Sequence, residues 1–209
     1  MFIENGGKDS QGSSYYVARN PEFGATFTYY LKESPKTLRE KRQEKEKELF
    51  KKGEPIAQPT VAELRAEENE IPPYLIFDIK DATGAQVRRL YSKPSSGINR
   101  KVWDLCYNST RPVRKSGDKF DPFREYGSGM FVMPGIYNVT ISLCANGETK
   151  VLAGPETFNA KVLNNTTLPA ADRAALVAFQ QEVSDVARKA LGAERYAEEL
   201  SEKLTSMLQ

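Results

Sequence analysis

Between Tyr137 and Leu143 the side chains alternate without a break. Tyr137, Val139, Ile141 and Leu143 fall on one side of an extended chain, and Asn138, Thr140 and Ser142 on the other. A helix would scatter those four apolar groups around its axis, so the segment demands a strand with one face against a second layer. Met133-Pro134-Gly135 supplies the turn that leads into it. Upstream, Gly97-Ile98-Asn99-Arg100-Lys101-Val102-Trp103-Asp104-Leu105 carries the only tryptophan of the chain at a strand position. The expected fold is mainly β with helical additions. It is an antiparallel β-sandwich with Trp103, Tyr137, Val139, Ile141 and Leu143 in its core.

Composition removes several functions. Apolar residues make up 39% and charged residues 28% of 209, enough for one core. The net charge is only +2 and the basic residues are interleaved with acids. Nucleic acid is therefore not expected as a partner, because phosphate binding needs a concentrated basic surface. No apolar run approaches the roughly 20 residues needed to span a bilayer. Histidine is absent, which takes away the commonest general base and metal ligand together. Two cysteines, Cys106 and Cys144, cannot make a zinc site by themselves. They read as buried free thiols, with a bridge between two strands as the alternative. No cofactor and no metal is expected.

Taken in order, residues 1–24 are rich in Gly, Ser and Asn and read as a leader or linker, closed by the turn Asn20-Pro21-Glu22-Phe23-Gly24. Met1 to Gly7 has neither the basic start nor the apolar stretch of a signal peptide. Residues 25–163 hold the sandwich, beginning with an alternating strand at Ala25–Leu31. A helical insertion occupies about residues 35–70. Its first helix opens at Ser34-Pro35, runs to Lys52, stops at Gly53 and is too polar to be buried, held by pairs such as Arg42–Glu46 and Glu44–Lys47. Its second starts at a Thr60–Glu63 capping box and buries Leu64. Tyr74–Ile79 is apolar on both faces, hence central, and turns at Asp81-Ala82-Thr83-Gly84 into Gln86–Tyr91. Asn146-Gly147 makes a tight turn, and Phe158–Val162 supplies a last strand. From residue 164 to 209 the pattern becomes helical, with a break at Gly192, so a C-terminal helical hairpin is expected, packed on the sandwich or on a partner.

The chemistry-bearing residues are sparse. Asp104, beside Trp103, reads as an acceptor for loop amides rather than as a catalytic acid. Asp118, Asp121 and Glu125 share a loop, and nothing in their spacing pairs them with Asp104 for glycoside hydrolysis. Asp78 and Asp81 flank a turn with too few oxygens for calcium. The long connection Asn108–Met133 is the candidate binding loop. Tyr107, Arg111, Phe123, Arg124 and Tyr126 lie on or beside it and would form an exposed ligand-binding set. Tyr29, Tyr30 and Tyr91 are further aromatic candidates for a sugar platform, but period 2 turns Tyr29 towards the core and allows the same for Tyr91, which leaves Tyr107, Phe123 and Tyr126 as the exposed set.

The string Asn20-Pro21-Glu22-Phe23-Gly24-Ala25-Thr26-Phe27-Thr28-Tyr29-Tyr30-Leu31 resembles the segment that leaves the propeller in large bacterial, Bacteroidetes-type proteins with sortilin-like β-propeller repeats. These are often labelled glycosyl hydrolases. Ile79-Lys80-Asp81-Ala82-Thr83-Gly84, Val87-Arg88-Arg89-Leu90, Trp103-Asp104-Leu105, Pro134-Gly135-Ile136-Tyr137 and the tail from Thr167-Leu168-Pro169 are similar to the C-terminal module of the same proteins. The Trp-Asp and Pro-Gly-x-Tyr pairs also resemble the immunoglobulin-like domain of flagellar hook-capping proteins. The resemblance covers about residues 19–209 and implies an immunoglobulin-like sandwich beside a propeller. Such a module is a non-catalytic accessory or interaction domain of an exported protein, whose partner is the neighbouring propeller or another protein. It implies a periplasmic or cell-surface location; a chain complete as given would be cytoplasmic. A carbohydrate-binding module using the 108–133 loop is the alternative, and a glycoside hydrolase a weaker one. A hydrolase label would belong to the propeller region, which is missing here.

Overall fold

Tyr74–Asp81 (β2) is the strand around which the others are arranged. The computed structural model describes residues 21–112, 120–124, 127–162 and 171–208. The leader residues 1–20 lie outside them. In chain order the remaining elements are β1 (Ala25–Leu31), α1 (Leu38–Lys52), α2 (Val61–Asn69), β3 (Gln86–Ser92), β4 (Gly97–Trp103), β5 (Cys106–Asn108), β6 (Ser128–Phe131), β7 (Gly135–Ala145), β8 (Glu148–Ala160) and α3 (Arg173–Met207). One antiparallel sheet has the order β3-β2-β7-β8, and β1–β4 and β5–β6 form two-stranded ribbons. About 35% of the described residues are strand and about 35% helix, so the protein is a mixed α and β structure rather than a mainly β one. The three helices lie within the segments the sequence marks as helical, but together they match the strands in extent.

Register explains the core. Leu75 faces Leu143, Phe77 faces Ile141 and Ile79 faces Val139 across β2 and β7, so one side of the sheet is apolar throughout. The β1–β4 ribbon lies over that side. Phe27 stacks on Phe77 at 6.1 Å, Tyr29 meets Phe77 edge-on at 5.3 Å, and Trp103 meets Tyr137 at 5.4 Å and Phe158 at 5.9 Å. Leu75, Phe77, Ile79, Val87, Trp103, Tyr137 and Val139 are buried, with Ile141 and Leu143 packed at the margin. Each such side chain contributes roughly 1.5–3 kcal/mol on burial, so the set carries most of the stabilisation.

Tyr137 adds a pH dependence. Its hydroxyl donates to the Met133 carbonyl at 2.5 Å, and burial pushes its pKa up to about 12. The folded state therefore holds this proton more tightly than the unfolded chain, where a tyrosine titrates near pH ~10. The stabilisation is complete below that value and is lost as pH rises towards 12. A thermal melting series between those two values should show a falling midpoint, and Tyr137→Phe should flatten the fall. An unchanged slope would mean that the buried phenol does not control it.

Several sequence expectations need correction. The first inserted helix begins at Leu38, not at Pro35, because Thr37 and Glu40 form a capping box there. Glu44 pairs with Lys36 at 2.5 Å, and Arg42 reaches both Glu46 (2.7 Å) and Glu67 of α2 (2.6 Å). Leu64 is 44% exposed rather than buried. The last strand starts ten residues before Phe158, at Glu148. It is an exposed edge strand, so its side chains show no period. The C-terminal hairpin is absent: α3 is one 35-residue helix that passes straight through Gly192. An interior glycine costs only about 1 kcal/mol, and Ala190, Leu191, Ala193 and Arg195 around it are strong helix formers with no proline to stop them.

Candidate functional site

The expected binding set does not assemble. Tyr107 is half-buried on β5, packs against the core, and meets the Gln181 side chain of α3. Burial pushes its pKa up. Arg111 is exposed, its backbone N–H donating to Ser109 Oγ at 3.3 Å. Phe123 lies instead under the Lys93 ammonium, 6.0 Å from its ring centroid, and its backbone N–H donates to Asp121 Oδ1 at 2.9 Å. The Arg124 N–H donates to the Asp121 carbonyl at 3.3 Å. Tyr126, like Asp118 and Glu125, lies outside the described residues. Tyr107 thus serves the interior, and Phe123 is left without it.

The sheet builds a different aromatic group. Tyr91 opposes Ile76, one residue out of phase with buried Leu75 and Phe77, so it points away from the core. There it meets Tyr74 at 5.8 Å, and Phe120 closes the triangle at 6.0 Å from Tyr74 and 6.3 Å from Tyr91. The Tyr74 pKa is pushed up to about 12, first by its hydrogen bond with Cys144 and then by burial. Phe120 stays 43% exposed, giving this face a partly open ring. The signal in the sequence was Asp78 and Arg89: their pairing at 3.3 Å fixes the outward parity that Tyr91 shares. Both cysteines are free, Cys106 buried and Cys144 half-buried.

Asp104 behaves as a turn acceptor. Its carboxylate takes the Cys106 N–H at 3.1 Å and the Ser128 hydroxyl. Arg88 crosses the same corner, donating to the carbonyls of Tyr107 (2.6 Å) and Gly127 (3.0 Å). Asp81 closes its own hairpin through Thr83 and Ala85. Among the described residues no three carboxylate or thiol groups converge as metal ligands would, and no helix is long and apolar enough to cross a membrane. A polar groove of about 280 Å³ runs between Tyr107, Asn108 and Met130 on one side and Gln181, Asp185 and Arg188 on the other. It is slightly below the usual range of small-molecule sites.

A further chemically distinct surface among the described residues is on α3. The residues it sets against the β layers across the groove, Gln181, Ser184, Asp185 and Arg188, are all polar. Its large apolar side chains face outward, with Phe179 63% and Leu204 60% exposed. A soluble surface seldom carries so long an apolar stripe unless something docks there. No protein-family profile, curated protein or solved structure matches this chain.

Proposed function

We propose that this chain is a non-catalytic interaction module that engages its partner through the outward face of α3. The observation that carries the reading is the exposed apolar stripe of that helix. The β1–β4 ribbon stacked on the four-stranded sheet supports an immunoglobulin-like sandwich as the scaffold. The resemblance to modules beside sortilin-like propellers suggests the setting, an exported bacterial protein in which the module orients a neighbouring domain or a second protein. Leu204 and Glu202 test this, because two positions apart on a helix point about 200° apart. A photo-crosslinking amino acid placed at either position in the native cells should give a protein adduct from position 204 and none from 202. Adducts from neither would overturn the reading.

A glycan platform is the second reading, favoured by the Tyr74–Tyr91–Phe120 ring triangle. Affinity gels carrying polysaccharides would retain the chain and lose it in Tyr91→Ala and Phe120→Ala. No retention on any glycan removes this second reading.

A further inference from the structure

We infer that the occupant of the α3 face is α3 of a second copy, paired antiparallel. This rests on the reading of α3 as the contact surface and names what covers it. From Leu176 the apolar positions recur in strictly alternating steps of three and four: Phe179, Val183 and Val186 lead to Ala190, Ala193 and Ala197, and Leu200, Leu204 and Met207 complete the series. That is a seven-residue repeat, a period of 3.5, the spacing that keeps one seam facing another helix along its whole length. A helix that only covered its own sheet would follow 3.6 and turn its large side chains inward. Here the seam faces away from the β layers.

The direction follows from the two flanks of the seam. One flank, with Gln180 and Ala187, is half-buried and adjoins Gln181 and Arg188, which line the groove against the β layers. The open flank carries Glu182, Lys189, Tyr196 and Lys203. Parallel helices set unlike flanks together, which would bring each β layer up against its partner. Antiparallel helices set like flanks together and leave both β layers outside. With the pair centred between Leu191 and Gly192, Glu182 faces Lys203 of the partner subunit, and symmetry makes the contact twice. Packing agrees. A parallel pair would stack three successive Ala–Ala layers; the antiparallel pair sets Ala197 against Val186 of the partner subunit and Phe179 against Leu204 of the partner subunit, leaving only the two central layers small. Small central layers let the helices approach where no long side chain intervenes.

The full chain should elute with the mass of a dimer in light-scattering chromatography and dissociate on dilution. Leu204→Asp should give a monomer, with the buried Trp103 fluorescence unchanged as the check that the β layers remain folded. At low salt, Glu182→Lys and Lys203→Glu should each raise the dissociation constant by about tenfold, from two like-charge contacts of the size usual at surfaces. The double variant Glu182→Lys/Lys203→Glu should return it to the parent value. A double variant no tighter than the singles overturns the antiparallel pairing. A monomeric parent at all concentrations overturns self-association. If position 204 then crosslinks to a different protein, the interaction-module reading survives; if it crosslinks to nothing, both fail.

Discussion

Trp103→Ala is expected to cost about 3–5 kcal/mol, the largest loss available from one side chain in this fold. Trp103 is the largest fully buried residue. Its ring bridges the two layers through Tyr137 and Phe158, and its indole N–H donates to the Cys106 carbonyl at 3.0 Å. Truncation therefore opens a cavity at the layer interface and strands a buried carbonyl at once. Small domains are stable by roughly 5–15 kcal/mol, so the variant would sit close to the unfolding limit at ambient temperature. Urea unfolding followed by far-ultraviolet circular dichroism measures this without relying on the missing fluorophore. Trp103→Phe separates the two contributions. It keeps most of the apolar area and loses the hydrogen bond, so about 1–3 kcal/mol should remain as its cost. A loss below about 1 kcal/mol for the alanine variant would show that Trp103 does not join the layers.

The strands that bury one face were legible in the sequence, and for the same physical reason. β1 falls on the residues its alternation marks, and β2 lies centrally between β3 and β7 as its two apolar faces require. Tyr137 and Val139 are buried, and Asn146-Gly147 turns with positive φ at both positions. Elements whose order is imposed from outside were not legible. β8 is an edge strand held by its pairing with β7, so little in its own side chains announces it. Gly192 reads locally as a stop, but the good helix formers on both sides carry α3 through it.

The candidate site failed in the sequence for a related reason. Tyr107, Phe123 and Arg124 were grouped by nearness along the chain, whereas the structure sorts them by face. Tyr91 needed the register of β3 against β2, which alternation alone does not fix and which the Asp78–Arg89 pair marks in the structure. The α3 stripe was visible as periodicity. What the sequence could not supply was that the sheet takes the polar side of the helix and leaves the apolar side free.

Gly24→Ala should be the most damaging small change, at more than about 2 kcal/mol. Gly24 has φ of +134°, a region that costs an L-residue about 1–3 kcal/mol. A Cβ there would overlap the Trp103 carbonyl oxygen, with the carbonyl carbon at 2.8 Å and Val102 Cγ1 at 3.1 Å. The obstruction is backbone, so no side-chain rotation relieves it. Ala25 pairs with Trp103 in the β1–β4 register, and the ribbon would have to part at the end that carries the tryptophan. The entropy that alanine removes from the unfolded chain, worth about 0.4–1 kcal/mol, is too small to offset this. Gly53→Ala is the control. Its φ is also positive, at +70°, but nothing lies within 4 Å of a Cβ there. It should cost about 1 kcal/mol, from backbone conformation alone. The difference between the two variants then measures the overlap with Trp103, and amide exchange in Gly24→Ala should accelerate first along β1 and β4. Equal losses in both would mean that the close approach at Gly24 plays no part in holding the ribbon over the sheet.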